Sequence, residues 1–228
     1  DKSRSRGLGD VYKRQIVSRR VLKPILGKAK IALERATKYK DIMVSLGTKA
    51  RLGTFVGGEL NGCIQLTAIY PDMTTATKSF TELSKNKDII DMMSKRDDDP
   101  SGHLIGPEVY RTIYGAPSPE HGILLLREYE VDRKFLPKSI ELLSEVENIG
   151  KDEDTKILGL YPIIADKMDS LYVVYYYSSF ESMGDIIDRI GMSEAFQNVV
   201  NKANEIGKLK ASNAVSYTHL RAHETSTY

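Results

Sequence analysis

The feature that most constrains this chain is an internal correspondence at an offset of 106 residues. Leu52 and Leu158, Gly53 and Gly159, Phe55 and Tyr161, Leu66 and Tyr172, and Tyr70 and Tyr176 all stand that far apart. The same offset, without a gap, sets Ile89–Ile90 on Ala195–Phe196 and Met93 on Val199. A pattern that returns at so long a period describes one structural unit built twice.

Each unit can be read from its periodicity. "IVSRRVL" (16–22) is a strand, and Pro24 suits the first turn of a helix. That helix carries Leu22, Leu26, Ala29, Leu33, Ala36, Ile42, Met43 and Leu46 and stops at Gly47. "KARLGTFVG" and "CIQLTAIY" form a hairpin around "GELNG". A helix capped by Thr74 or Thr75 follows, with a break at "KNK", then a polar loop "RDDDPSGHLIGP" and a strand "EVYRTIYG". The second unit runs through "GILLLREYEV", a helical stripe at Leu136, Ile140, Leu143 and Val146, and a hairpin "TKILGLYPII"/"SLYVVYYYSSF". It ends in a two-part helix with a cap signal at Ser193. Each half therefore reads β-α-β-β-α-β, the split βαβ order of a ferredoxin-like unit. One such unit leaves the open face of its sheet apolar, so a second sheet must cover it. The expected fold class is α+β: two tandem ferredoxin-like βαββαβ halves, 16–118 and 119–213, whose antiparallel sheets face each other as an α+β barrel.

The ends break this pattern. "GLGDVYKRQ" and "VSYTHLRAHET" resemble translated sequencing-adapter DNA joined to a gene fragment of metagenomic kind. Residues 1–15 and 214–228 are therefore expected to be non-native, and His219 and His223 to carry no function. Adding the offset to Tyr110–Ile113 puts the second unit's closing strand at Ser216–His219. That strand is accordingly expected to be truncated, with Ala214–Tyr228 either without order or an ill-fitting substitute. The formal net charge is +2, but the first fifteen residues carry a surplus of three positive charges, leaving about −1 between the two ends. So even a balance gives no electrostatic support for nucleic-acid binding. No apolar run reaches the ~20 residues of a membrane-spanning helix. One cysteine, Cys63, excludes an internal disulfide framework and fits a cytoplasmic setting.

The second half carries a resemblance. "LGLYPIIADKMDSLYVVYYYSSFESMGDIIDRI…SEAFQNVVNKA" resembles the dimeric α+β barrel superfamily, most closely its NIPSNAP-like branch. The shared features are a hairpin, an aromatic-rich strand, the "SFESM" helix start and a broken helix. The superfamily includes quinol and polyketide-type monooxygenases, haem-degrading enzymes, chlorite dismutase relatives and isomerases. In most members two subunits supply the two sheets. The resemblance implies that tandem halves build the barrel within one chain, as a monomer with an internal pseudo-dimer or as a homodimer.

The chemistry is sparse. His103 and His121 are separated by 18 residues of loop-like sequence, without a second ligand at helical spacing, so no metal site is expected. No cofactor is expected either; haem is the alternative, with His103 as its candidate ligand because several branches of the superfamily use a histidine. Cys63 opens a strand with no basic neighbour and reads as an inert thiol. The distinctive feature is tyrosine: thirteen of them, and no tryptophan. "YVVYYY" alternates as a strand. At the offset of 106, Tyr175 falls on Ile69 and Val173 on Thr67, which assigns Gln65, Thr67 and Tyr175 to the barrel interior. Arg127 and Tyr129 are expected to join them. The interior would then bind a small hydrophobic or aromatic molecule. The alternatives are a cofactor-independent monooxygenase-like enzyme, which would hold a substrate anion for reaction with O₂, and a non-catalytic protein acting through its surface. Whether the chain is an enzyme is left open at this level.

Overall fold

A computed structural model describes residues 15–217. The first half runs β1 (Ile16–Pro24), α1 (Ala29–Ser45), β2 (Lys49–Gly57), β3 (Ile64–Tyr70), α2 (Met73–Lys85), α3 (Lys87–Asp98) and β4 (Gly102–Gly115). The second runs β5 (Ile123–Val131), a 3-10 turn (Arg133–Phe135), α4 (Leu136–Ile149), β6 (Thr155–Ile164), β7 (Ser170–Tyr177), α5 (Phe180–Arg189), α6 (Glu194–Asn204) and β8 (Gly207–Ser216). All pairings are antiparallel, and the strands close in the order β1-β3-β2-β8-β5-β7-β6-β4. The expected α+β barrel is present, with the halves joined edge to edge along β2–β8 and β4–β6. Closure leaves neither half with an open edge.

The apolar residues sort into three clusters. One fills the barrel, around Val17, Phe55, Tyr110, Leu126, Leu158, Tyr172, Tyr176 and Val215. A second lies between the first half's sheet and its helices, around Met43, Leu66, Ala68, Leu83 and Ile89. A third does the same in the second half, around Leu143, Val173, Tyr175, Tyr177 and Ile186. A strand buried on both faces has no polar side to show, which is why all eight residues of β7 are buried.

Three expectations need correction. Pro24 ends β1 instead of opening a helix, and Leu26 is fully exposed; α1 begins at Ala29. The cap of α2 is Asp72, whose carboxylate accepts from the Thr75 amide. Most consequentially, the closing strand of the second half is present. It is β8, at 207–216, paired along β5 from Ile123↔Ser216 to Val131↔Gly207. Val215 and Ser216 are wholly buried in it, so Ala214–Tyr217 is not an ill-fitting substitute. His219, His223 and residues 1–14 lie outside the described residues.

Candidate functional site

Strand register decides which side chains face the barrel. Ile16 and Tyr70 are partners in the first half, and Ile123 and Tyr177 in the second, both 107 residues on. The structural offset is thus one residue longer than the one the sequence suggests. A one-residue slip moves every side chain to the other face of a sheet. Gly53 and Gly159, aligned at 106, indeed sit on opposite faces: a Cβ at Gly53 would meet Tyr217, one at Gly159 the Leu143 side chain of α4.

Gln65 and Thr67 therefore do point into the barrel, as expected. Both hydrogen-bond the Tyr217 hydroxyl at 3.2 Å, and the Arg51 guanidinium lies 4.0 Å over the same ring. Tyr172, Val174 and Tyr176 line the interior beside them. Arg127, Tyr129 and Tyr175 do not; their strands turn them outward, under the second half's helices. The interior itself is nearly full, with about 50 Å³ left among Val17, Arg19, Gln65, Tyr110 and Tyr172. That is room for water, whereas small-molecule pockets span roughly 300–1,000 Å³. Between its sheets this structure leaves no space of small-molecule size.

The room lies outside the barrel wall. In the second half a pocket of about 350 Å³ separates β5, β6 and β7 from α5 and α6. Its apolar wall comes from Ile186, Ile190, Phe196 and Val200. Its polar groups are Arg127, Tyr129, Tyr175, Tyr177 and Thr155 from the strands, with Gln197 and Asn204 from α6. So three of the five anticipated residues do meet in one pocket, on the opposite face from the one expected. Arg127 stacks 5.4 Å from the Tyr175 ring centre, and among the described residues no carboxylate pairs with it. Its Nε and the Thr155 hydroxyl are both buried without a hydrogen-bond partner among the described residues. Burial pushes the Tyr175 phenol well above its ordinary range and the Tyr177 phenol up to about 12. Both stay protonated at neutral pH, as hydrogen-bond donors.

The first half has a counterpart of about 550 Å³ between β1, β3 and the helices α1 and α3. Arg20, 107 residues before Arg127, occupies the equivalent place. Its guanidinium lies 5.4 Å from the Tyr39 ring and 5.9 Å from Phe80.

One cluster escapes sequence reading. His121 is buried: its Nδ1 lies 2.9 Å from the Ser118 Oγ and its Nε2 3.3 Å from the Asp154 carboxylate. Serine, histidine and aspartate in a row suggest a nucleophile. Here Ser118 hydrogen-bonds the Glu120 carboxylate and faces only the 50 Å³ barrel space. Arg51 also donates to the Ser118 and His121 carbonyls. The cluster clasps the segment joining β4 to β5. Only spatial proximity reveals it, since Asp154 lies 33 residues from His121.

Among the described residues no group of three His, Cys, Asp or Glu side chains could hold a metal. His103 lines the first-half pocket but is exposed, and no side-chain hydrogen bond orients its imidazole among those residues. Haem-ligating histidines are held by such a second partner. His103 as placed lacks that partner. Cys63 is buried, and burial pushes its thiol up, as expected of an unreactive cysteine. No described helix is long and apolar enough to cross a membrane.

No protein-family model matches the chain, and no curated protein sequence matches it. Solved structures do. A candidate monooxygenase from Fusobacterium nucleatum subsp. nucleatum superposes with a TM-score of 0.62 at 10% identity, over 90% of this chain and 94% of that one. An anthrone oxidase-like protein gives 0.62 at 10% identity, over 91% and 92%. A haem-binding protein from Thermus thermophilus gives 0.53 at 10% identity, over 92% and 94%. At such identities the likeness is one of fold, and the fold is the ferredoxin-like α+β barrel.

Proposed function

We propose that the chain binds a small aromatic anion in the helix-covered pocket of its second half. One observation carries the reading: the Arg127 guanidinium sits at an apolar pocket, Nε buried, with no carboxylate among the described residues to match it. A half-buried guanidinium flanked by tyrosines and by no carboxylate among the described residues is a ready partner for an anion. Tyr129, Tyr175 and Tyr177 supply flat walls and hydroxyl donors, which suits an aromatic body bearing a carboxylate, sulfonate or phenolate. The two halves are read as copies of one NIPSNAP-like unit joined in tandem, and the site as the second copy's own.

An enzyme reading follows from the same geometry. The similar structures include a candidate monooxygenase and an anthrone oxidase-like protein. In an oxygenase of this kind Arg127 and the tyrosines would hold an electron-rich phenolate, and the apolar helices would keep water from it. Among the described residues no adjacent carboxylate positions any of the three phenols as a base, so the substrate would have to enter as its anion.

The test uses 1-naphthoate as probe. A pocket ligand raises Tm as RT ln(1 + [L]/Kd). Wild type should show that rise. Arg127→Met should lose it. An unchanged naphthoate shift in Arg127→Met would sink the reading. Oxygen uptake with an anthrone separates enzyme from binder.

A further inference from the structure

We infer that the pocket around Arg20 is a second binding site, selective for an alkyl-chain carboxylate. This inference stands beside the Arg127 site and does not depend on it.

The charge balance points to an anion. Three arginines line the pocket: Arg20, Arg35 and Arg96. Arg35 is matched by Asp99 at 2.9 Å and Arg96 by Asp97 at 3.1 Å. Arg20 has no carboxylate partner among the described residues; its one side-chain hydrogen bond there is a long one, 3.4 Å, to the Ser18 hydroxyl. One uncompensated guanidinium calls for one negative charge, and a carboxylate meets a guanidinium in its bidentate geometry.

The wall sets the body of the ligand. Where the second-half pocket presents tyrosines, this one presents Leu22, Leu66, Met92 and Met93. Unbranched, polarizable methionines adapt to a flexible chain and give no flat face for a ring to stack on. The one six-membered aromatic ring in that lining, Tyr39, is engaged by Arg20 itself, and the only other aromatic ring there is the exposed imidazole of His103. The volume, about 550 Å³ against about 350 Å³, also admits a longer body. Met92 and Met93 sit on α3, whose C-cap Asp99 is held by Arg35 of α1 and by Lys28, the N-cap residue of that helix. A chain lying under α3 would be covered by it, with its carboxylate inside on Arg20.

The experiment is isothermal titration of the full chain with dodecanoate. It is run on Arg127→Met, so that the second-half pocket cannot contribute, and on wild type. One equivalent should bind to each. Arg20→Met should weaken dodecanoate at least tenfold and leave the 1-naphthoate shift of wild type unchanged. Met93→Trp, which fills the pocket and keeps the charge, should weaken it likewise and covers the chance that Arg20→Met folds poorly. Absence of dodecanoate binding to Arg127→Met, or equal affinity in wild type, Arg20→Met and Met93→Trp, overturns the inference. A lost naphthoate response with dodecanoate binding intact would strike the Arg127 reading alone.

Discussion

Two residues inside the barrel show how polar groups are handled where there is almost no space. Among the described residues the buried Tyr110 hydroxyl has no hydrogen-bond partner, and its ring packs edge-on against Tyr172 at 5.1 Å. An unsatisfied buried hydroxyl costs roughly 1–3 kcal/mol. Tyr110→Phe should therefore raise stability by about 1 kcal/mol in urea unfolding; a loss of that size would show that the hydroxyl has a partner. Glu128 is the opposite case. Burial alone would raise its pKa, but donors outweigh it: the Tyr172 hydroxyl at 2.9 Å, Ser170 at 3.1 Å and Lys167 at 3.3 Å. The net shift is downward from 4.5. A carboxylate with a depressed folded pKa stabilises the fold above its unfolded pKa, and that contribution fades as pH falls through the folded value. The stability gap between wild type and Glu128→Gln should be full at pH 7 and shrink below pH 4.5. A gap independent of pH would mean that Glu128 acts by shape. Neither role is legible in the sequence: Glu128 and Tyr172 meet through the register of β5 on β7, and Tyr110 reaches Tyr172 only once β4 joins the second half.

At the scale of elements, the hairpins are the most legible part. "KARLGTFVG" and "TKILGLYPII" coincide with β2 and β6 because strand composition and flanking turns agree there. Ser193 is legible too: its hydroxyl accepts from the Phe196 amide and starts α6. Phe196 lines the Arg127 pocket, so the cap also holds a wall of the site. Ser193→Ala should cost about 1 kcal/mol and weaken naphthoate binding; a stability loss with unchanged affinity would detach α6 from the site. The missed element is β8. In "GKLKASNAVS" only Asn213, Val215 and Ser216 are buried, and two lysines face solvent. With so few inward side chains the apolar alternation never develops, and backbone pairing to β5 makes the strand. The exposed first part of β4, from Gly102 to Pro107, has the composition of a loop for the same reason. The face of β7 cannot be read at all, since a strand buried on both sides gives no contrast between its faces.

At the scale of the whole molecule, the two seams that close the barrel are unequal. β4 and β6 pair from Val109↔Ile164 to Gly115↔Leu158, whereas among the described residues β2 and β8 share Thr54↔Ser216, Phe55↔Val215 and Gly57↔Ala214. At Gly115, on the longer seam, φ is +63° and a Cβ would overlap the Ile157 carbonyl, so the backbones approach as closely as only glycine allows. Local opening follows the shortest ladder. Amide hydrogen exchange should therefore be faster along β2–β8 than along β4–β6, and the reverse order would show that side-chain packing decides it. The single-chain barrel has one more consequence. A barrel assembled from two identical subunits must carry two identical pockets, since every substitution occurs in both copies. Here Arg20 and Arg127 occupy equivalent places in one polypeptide, but Met92 and Tyr175 can each be exchanged without touching the other. In this single-chain barrel the two pockets are therefore independent of one another, and a substitution that reshapes one leaves the other as it was.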